Sequence, residues 1–375
     1  MVALRGPLFL LLLFFSSFFG SIFLLAPLLP LMLISTSLYR WITDRIIATW
    51  FTFPVALIEM VLGVKLVITG DGFFPGERSV IIMNHRTRLD WMFLWNCLLR
   101  CSYLRKQKIC LKDTLKSLPG FGWAMQVAAF IFIRRKWEED RTHLEAMLRY
   151  FCEIKQPLQL LMFPEGTDLT PFTQFRSHEY AEQSGLSKYE YVLHPRTTGF
   201  AFIVDQLRKG ANLDAIHDVT VAYPYNFPQT ERQLFTGNFP KEIHFHIYRH
   251  SVDSLPSSPD GLKAWCQQRW RAKEKLLKSF YGGQRSFKVQ GEGLVPHCKS
   301  ELRVFLIKCA SLLFWLPFIA AAFVLVYTYT AARWYFTSIL LFFIFQEKVF
   351  GGCEVMELAC HAGLRGQRPA QHHAE

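Results

Sequence analysis

Long apolar stretches near both ends of the chain enclose a middle in which short apolar runs alternate with amphipathic segments. Leu8 to Ile34 is almost wholly apolar, interrupted by Ser16, Ser17, Gly20, Pro27 and Pro30. A bilayer core takes roughly 20 apolar residues in a helix, and Leu8 to Ala26 nearly supplies them. A retained anchor is therefore expected here, since the apolar region of a cleaved signal is shorter. A second stretch, Ile46 to Val64, contains Pro54 and Glu59, with Trp41 and Trp50 near its start. It fits either a second span or an amphipathic helix lying among the headgroups.

From Lys65 to about Phe280 the pattern changes. SVIIM, AFIFI, LQLLMF, DVTVAY and EIHFHIY predict strands, and Leu89 to Arg100, Trp137 to Ile154 and Gly261 to Phe280 predict helices. Such alternation implies an α/β layer on a mixed or parallel sheet. Beyond it, Val304 to Thr328 is strongly apolar despite Lys308 and Pro317, while Trp334 to Phe345 is too short to span alone. The two fit a hairpin, or one span and one interfacial helix. The expected organisation is a membrane anchor and interfacial helix over 1–64 and a catalytic domain over 65–290. C-terminal membrane segments over 300–350 and a polar tail over 363–375 complete it.

Composition narrows the class. Hydrophobic residues make up 51% of the 375 and Phe alone numbers 35, which suits a membrane-attached enzyme with lipid- or acyl-facing surfaces. The net charge of +12 favours polyanions. No nucleic-acid module accompanies it, so anionic headgroups or phosphorylated co-substrates are the expected partners. The nine Cys form no CxxC pair and no zinc spacing, and there is no Asn-x-Ser/Thr site. Reduced cysteines and no metal site follow, because His244 and His246 share a strand face without a third ligand.

Candidate chemistry gathers at strand ends, where ligands of α/β sheets bind. In MNHRTRLDWM, His85 and Asp90 would point apart in one continuous helix. They meet only if His85 lies in the loop after SVIIM and Asp90 on the first turn of the next helix. That geometry makes a base with its orienting carboxylate; a helix cap beside a solvated His is the other reading. Three further corners are FIFIRR with Arg134 and Arg135, FPEGT with Glu165, Gly166 and Thr167, and YVLHPRTTGF with Pro195 and Arg196.

These four corners occur in the order of the four motifs of glycerolipid acyltransferases, and the chain resembles their lysophosphatidic acid acyltransferase group over nearly its whole length. The resemblance implies an α/β mixed sheet with flanking helices, plus N- and C-terminal membrane helices. It implies that His85 is the general base and Asp90 its orienter. The acceptor hydroxyl then attacks acyl-CoA directly, with no acyl-enzyme and no cofactor besides that co-substrate. Arg135, Glu165, Gly166 and Thr167 would hold the acceptor's phosphate, and Pro195 matches the fourth motif. Two departures, Arg134 in place of an acid and HPRTTGF with Arg196 in place of a shorter apolar motif, suit a more anionic acceptor.

An anionic lysophospholipid is therefore expected: lysocardiolipin, lysophosphatidylglycerol or lysophosphatidylinositol. The expected location is the endoplasmic reticulum membrane, including its mitochondria-associated regions, with the catalytic domain facing the cytosol where acyl-CoA is kept. The alternatives are acylation of lysophosphatidic acid itself, a membrane phospholipase or a non-enzymatic lipid-binding scaffold. No GxSxG elbow supports a phospholipase.

Overall fold

The computed structural model describes residues 2–74, 76–287 and 300–366. Its centre is a seven-stranded mixed sheet. The strands are β1 (Lys65–Gly70), β2 (Ser79–Met83), β3 (Gln107–Lys112), β4 (Ile131–Ile133), β5 (Gln159–Met162), β6 (Ala215–Ala222) and β7 (Glu242–Ser251). Their order is β1-β7-β6-β2-β5-β3-β4. Central β2 pairs in parallel with β5 and β6. All five of its residues are buried, so it reads as an unbroken apolar run without alternation.

Strands β2 to β6 share one direction and deliver their carboxyl ends to one edge. Strand β7 is antiparallel to β6, and β1 is parallel to β7. These two therefore begin at the edge where the other five end. Lys65 and Glu242, in register at the starts of β1 and β7, lie at that edge.

Each face of the sheet carries its own core. Ile81 and Met83 join the N-terminal helices and the helix Asp90–Cys101, whereas Val80 and Ile82 join the helices Trp137–Glu153, Thr197–Lys209 and Pro259–Gly282. The five expected strands are observed; β1 and β3 were not expected, nor were the helices Pro171–Gln183, Thr197–Lys209 and Cys353–Leu364. The end of the expected catalytic domain, 288–290, lies outside the described residues. So does the expected polar tail from 367 onward, and residues 363 and 364 instead end a helix.

Three helical stretches are long and apolar enough to cross a membrane: Leu4–Ile34, Thr36–Val61 and Glu301–Thr328. The chain is a membrane protein by this measure. The second stretch starts ten residues before the expected Ile46, because Arg40, Asp44 and Arg45 interrupt its apolar pattern. The helix Thr330–Phe350 likewise exceeds the expected Trp334 to Phe345 and follows Glu301–Thr328 after a break at Tyr329.

The charges in the second helix face protein. Arg40, fully buried, donates to Glu357, to Asp44 (3.2 Å) and to the Val127 carbonyl (2.8 Å). Lys108 Nζ on β3 donates to Asp44 (2.7 Å), as does Gln156 (2.7 Å), and Tyr150 donates to Glu357. This network joins the helix to the body and to Cys353–Leu364. Removing one partner of a buried ion pair strands the other in low dielectric, at about 3–5 kcal/mol. Glu357→Ala should accordingly lower the thermal midpoint in detergent sharply. Lys209→Ala, which breaks only an exposed pair with Asp205, should leave that midpoint nearly unchanged.

Candidate active site

Strand β2 ends at Met83, and the polar corner is fixed at once to its neighbour. Asn84 donates through Nδ2 to the Val221 carbonyl (3.1 Å) and accepts from Val221 N–H (2.8 Å), so the loop cannot slide along β6. His85 sits in that loop and Asp90 opens the helix Asp90–Cys101. Asp90 Oδ2 accepts from the backbone of Arg86 (2.6 Å) and Thr87 (2.9 Å) and from His85 Nδ1 (2.9 Å). Tyr223, just past β6, donates its hydroxyl to Asp90 Oδ1 (2.5 Å).

Burial, then the Asp90 carboxylate, push the Tyr223 phenol well above its ordinary pKa, so it remains the donor. The imidazole is held flat against Phe163, with 4.2 Å between ring centroids. With Nδ1 bound to a carboxylate, the ring's lone pair lies on Nε2. No described residue hydrogen-bonds to that nitrogen, and it can take a proton.

Glu165 closes the other side of the loop. It is 3% exposed, and Oε1 accepts from His85 N–H (3.3 Å) and Trp270 Nε1–H (3.1 Å) while Oε2 accepts from Leu193 N–H (3.2 Å). Burial pushes the carboxyl up to about 8 against the pull of these donors and of Lys273. One lone-pair position on Oε2 is left for the proton. Glu165 thus ties three segments together.

The expected cationic residues divide. A cleft of about 710 Å³ is lined by Arg135, Gly166, Thr167, Pro195 and Arg196, together with Arg176, and reaches Phe163 under the imidazole. Arg135 adopts φ 66°, a left-handed conformation costly for a side-chain-bearing residue. Burial and then the Arg196 guanidinium draw its pKa down. Among the described residues neither arginine has an ion-pair partner. Gly166 needs its φ of 74° to turn the loop, and a Cβ there would meet Arg196 at 3.4 Å. Arg196 N–H donates to the Pro164 carbonyl (2.7 Å), which locks the two corners together.

Arg134 is not brought to this cleft. It turns outward, 65% exposed, toward Glu139 (3.3 Å) and Asp113 (3.6 Å), and the left-handed turn at Arg135 carries the chain on so that only the second arginine lines the cleft. His244 and His246 share a strand face, as expected, both against Phe287, and each has its own polar partner, Glu242 (2.7 Å) and Thr69 (2.8 Å). Tyr223, Trp270 and Arg176 were missed. Only Tyr223 carried a signal, since it ends the predicted strand DVTVAY.

A strand-end histidine held by a buried carboxylate, next to a cleft of guanidiniums without ion-pair partners among the described residues, is an arrangement able to activate a nucleophile beside an anion. The comparisons make the class specific. The family pattern described as Acyltransferase matches residues 65–224, and the pattern Acyltransferase C-terminus matches 233–308. The chain is 63% identical over 368 residues to lysocardiolipin acyltransferase 1 of Gallus gallus, covering 98% of this chain and 97% of that protein. It is 38% identical to lysophosphatidylinositol acyltransferase 10 of Caenorhabditis elegans, covering 83% of this chain and 82% of that protein. A crystal structure of a 1-acyl-sn-glycerophosphate acyltransferase from Thermotoga maritima overlays with a TM-score of 0.47 at 16% identity, covering 74% of this chain and 98% of that one. The chain belongs to the 1-acylglycerol-3-phosphate acyltransferase family and is an acyltransferase.

The raised Glu165 carboxyl has a thermodynamic sign. The folded chain holds this proton more tightly than the unfolded chain, whose reference value is 4.5. Its contribution to stability is complete below that value and is lost as pH rises through about 8. Thermal unfolding in one detergent, between roughly pH 7 and 9, should show wild type losing midpoint relative to Glu165→Gln, which has no such proton. At neutral pH the Gln variant should itself be less stable, since its amide NH2 meets either Leu193 N–H or the His85 and Trp270 donors.

Proposed function

We propose that the enzyme transfers an acyl chain from acyl-CoA to the free hydroxyl of an anionic lysophospholipid and so remodels phospholipid acyl chains. The observation that carries this reading is the His85–Asp90 pair beside the Arg135–Arg196 cleft. His85 Nε2 takes the proton of the acceptor hydroxyl as its oxygen attacks the thioester carbonyl. The tetrahedral intermediate collapses, the carbon–sulfur bond breaks, and the imidazolium returns its proton to the departing CoA thiolate. Asp90 stabilises the imidazolium and fixes the ring's tautomer, with Tyr223 and two backbone N–H groups holding the carboxylate still. No acyl-enzyme and no further cofactor enter the scheme.

Arg135 and Arg196 receive the acceptor's phosphate, with Thr167 alongside; Gly166 and Pro195 shape the turn that lets them converge. Glu165 acts by positioning, through its bonds to the His85 and Leu193 backbones. Two guanidiniums with no ion-pair partner among the described residues favour an anion over a zwitterion. Lysocardiolipin, lysophosphatidylglycerol and lysophosphatidylinositol therefore rank ahead of choline and ethanolamine lysolipids. The names of the chicken and worm relatives support two of these acceptors. A narrow apolar crevice lined by Trp50, Trp95, Phe130 and Trp315 offers the acyl chain a path along the helix that starts at Asp90. The reading assigns the enzyme to the endoplasmic reticulum membrane, including mitochondria-associated regions, with its body toward cytosolic acyl-CoA.

The test is an acyltransferase assay on purified protein with acyl-CoA and a panel of lysolipids in matched micelles. His85→Ala and Asp90→Asn should each lose roughly 10²–10⁴-fold in turnover without loss of folded protein. Arg135→Ala and Arg196→Ala should narrow the preference for anionic over choline lysolipids by about tenfold, one charge-assisted contact each. Arg134→Ala, outside the cleft, should leave that preference unchanged. Equal rates on all headgroups, or full activity in the His85 variant, would overturn the reading.

A further inference from the structure

A second cationic cleft opens at the same sheet edge, on the other side of His85. It has a volume of about 470 Å³, and its lining includes Arg5, Lys65, Lys241, Tyr225, Phe239 and Glu242. Its position follows from strand polarity. Lys65 opens β1 and Lys241 directly precedes β7, the two strands that begin where β2 and β6 end. Lys65 N–H donates to the Lys241 carbonyl (3.0 Å), which fixes the two lysines side by side. Arg5 reaches them from the first helix, whose Gly6 lies against the backbone of Leu234 and Phe235 so closely that a Cβ would meet the Leu234 oxygen at 2.2 Å. Phe9 packs edge-on to Phe239 (5.2 Å) and holds that approach.

Arg5, Lys65 and Lys241 are exposed, and none has an ion pair or side-chain hydrogen bond among the described residues. The carboxylate on the lining, Glu242, is turned to His244 (2.7 Å). Tyr225, 63% exposed, presents an aromatic ring beside the cations. Tyr225 is two residues beyond Tyr223, the Asp90 partner, so the chain passes from the catalytic carboxylate straight into this cleft. In the sheet, β7 is two strands from β2, a separation of about 10 Å. An extended pantetheine arm covers that distance.

We propose that this cleft binds the 3′-phospho-ADP end of the CoA thioester, with Arg5, Lys65 and Lys241 on the phosphates and Tyr225 stacked on the adenine. The two anionic substrates then approach His85 from opposite flanks, the acceptor phosphate at Arg135 and Arg196 and the donor nucleotide here. The proposal rests on the reading that the donor is acyl-CoA. A phosphate-bearing headgroup of a bilayer lipid offers the same chemistry, and the experiment separates the two.

Lys65→Glu and Lys241→Glu, both at exposed positions, should each raise KM for acyl-CoA by about tenfold or more. The kcat and the KM for lysolipid should stay within about twofold of wild type. With a dephospho-CoA thioester as donor, which lacks the 3′-phosphate, the penalty of each variant should shrink. Direct titration of CoA into the detergent-solubilised proteins should show the same weakening without turnover. An unchanged KM for acyl-CoA overturns the proposal. So does a variant whose only defect is weaker sedimentation with phosphatidylcholine vesicles containing phosphatidylglycerol, which assigns the cations to a headgroup. If wild type binds CoA and the variants do not, yet no lysolipid is acylated, the cleft stands and the acyl-transfer reading fails. If acylation is normal and all three proteins bind CoA equally, the cleft fails alone.

Discussion

The site depends on one buried carboxylate. Asp90 is fully removed from solvent, and an ionised group there is tolerated only where donors replace water. Four do so: the His85 imidazole, the Arg86 and Thr87 amides and the Tyr223 hydroxyl. The two amides belong to the turn that leads into the helix, so the carboxylate winds the turn and occupies a helix start, where the dipole favours negative charge. Tyr223 comes from the far side of the sheet's centre and ties the end of β6 to the end of β2. The imidazole, its tautomer and the strand-to-helix turn are consequently one cooperative unit.

Glu165 does the complementary work on the other flank, where two backbone amides and an indole converge on it. His85 is thus clamped by its ring through Asp90 and by its backbone through Glu165. Between them the ring rests on Phe163. Elsewhere in the molecule buried cations meet acids: Arg40 meets Glu357, Lys108 meets Asp44 and Lys273 meets Asp218. Arg135 and Arg196 differ from these: both are exposed at the cleft, and neither has an ion-pair partner among the described residues.

Much of this was legible in sequence, and the failures have physical causes. SVIIM and LQLLMF announced β2 and β5 because central strands covered on both faces carry unbroken apolar runs. QKICLK did not announce β3, since Gln107 and Lys108 are buried there and the charge is balanced by Asp44, 64 residues away in sequence. KLVITG escaped because β1 is an edge strand with an exposed first residue. The same long-range pairing hid the start of the second helix at Thr36, where Arg40 and Asp44 look like a polar break. Local rules found that His85 had to precede the helix. They had no means of telling Arg134 from Arg135, because the left-handed turn at Arg135 that separates them has no signature in the residue types.

Net charge pointed to anionic partners, but only the sheet's polarity shows where the basic residues gather. In an all-parallel sheet one edge collects strand ends alone, and the basic residues at strand starts lie at the opposite edge, away from the chemistry. Here the reversal of β1 and β7 brings Lys65 and Lys241 back to the His85 edge. Arg135 and Arg196 occupy the other flank of the same edge. The first apolar helix reaches that edge too, through the Phe9–Phe239 contact, so the Lys65–Lys241 cleft opens beside a segment able to enter a bilayer. In the acyl transfer proposed above, a hydroxyl borne by a lipid and a thioester borne by a soluble nucleotide would have to meet where membrane and water meet. A mixed sheet with cations on both flanks of one histidine, packed against membrane helices, satisfies that requirement with a single edge.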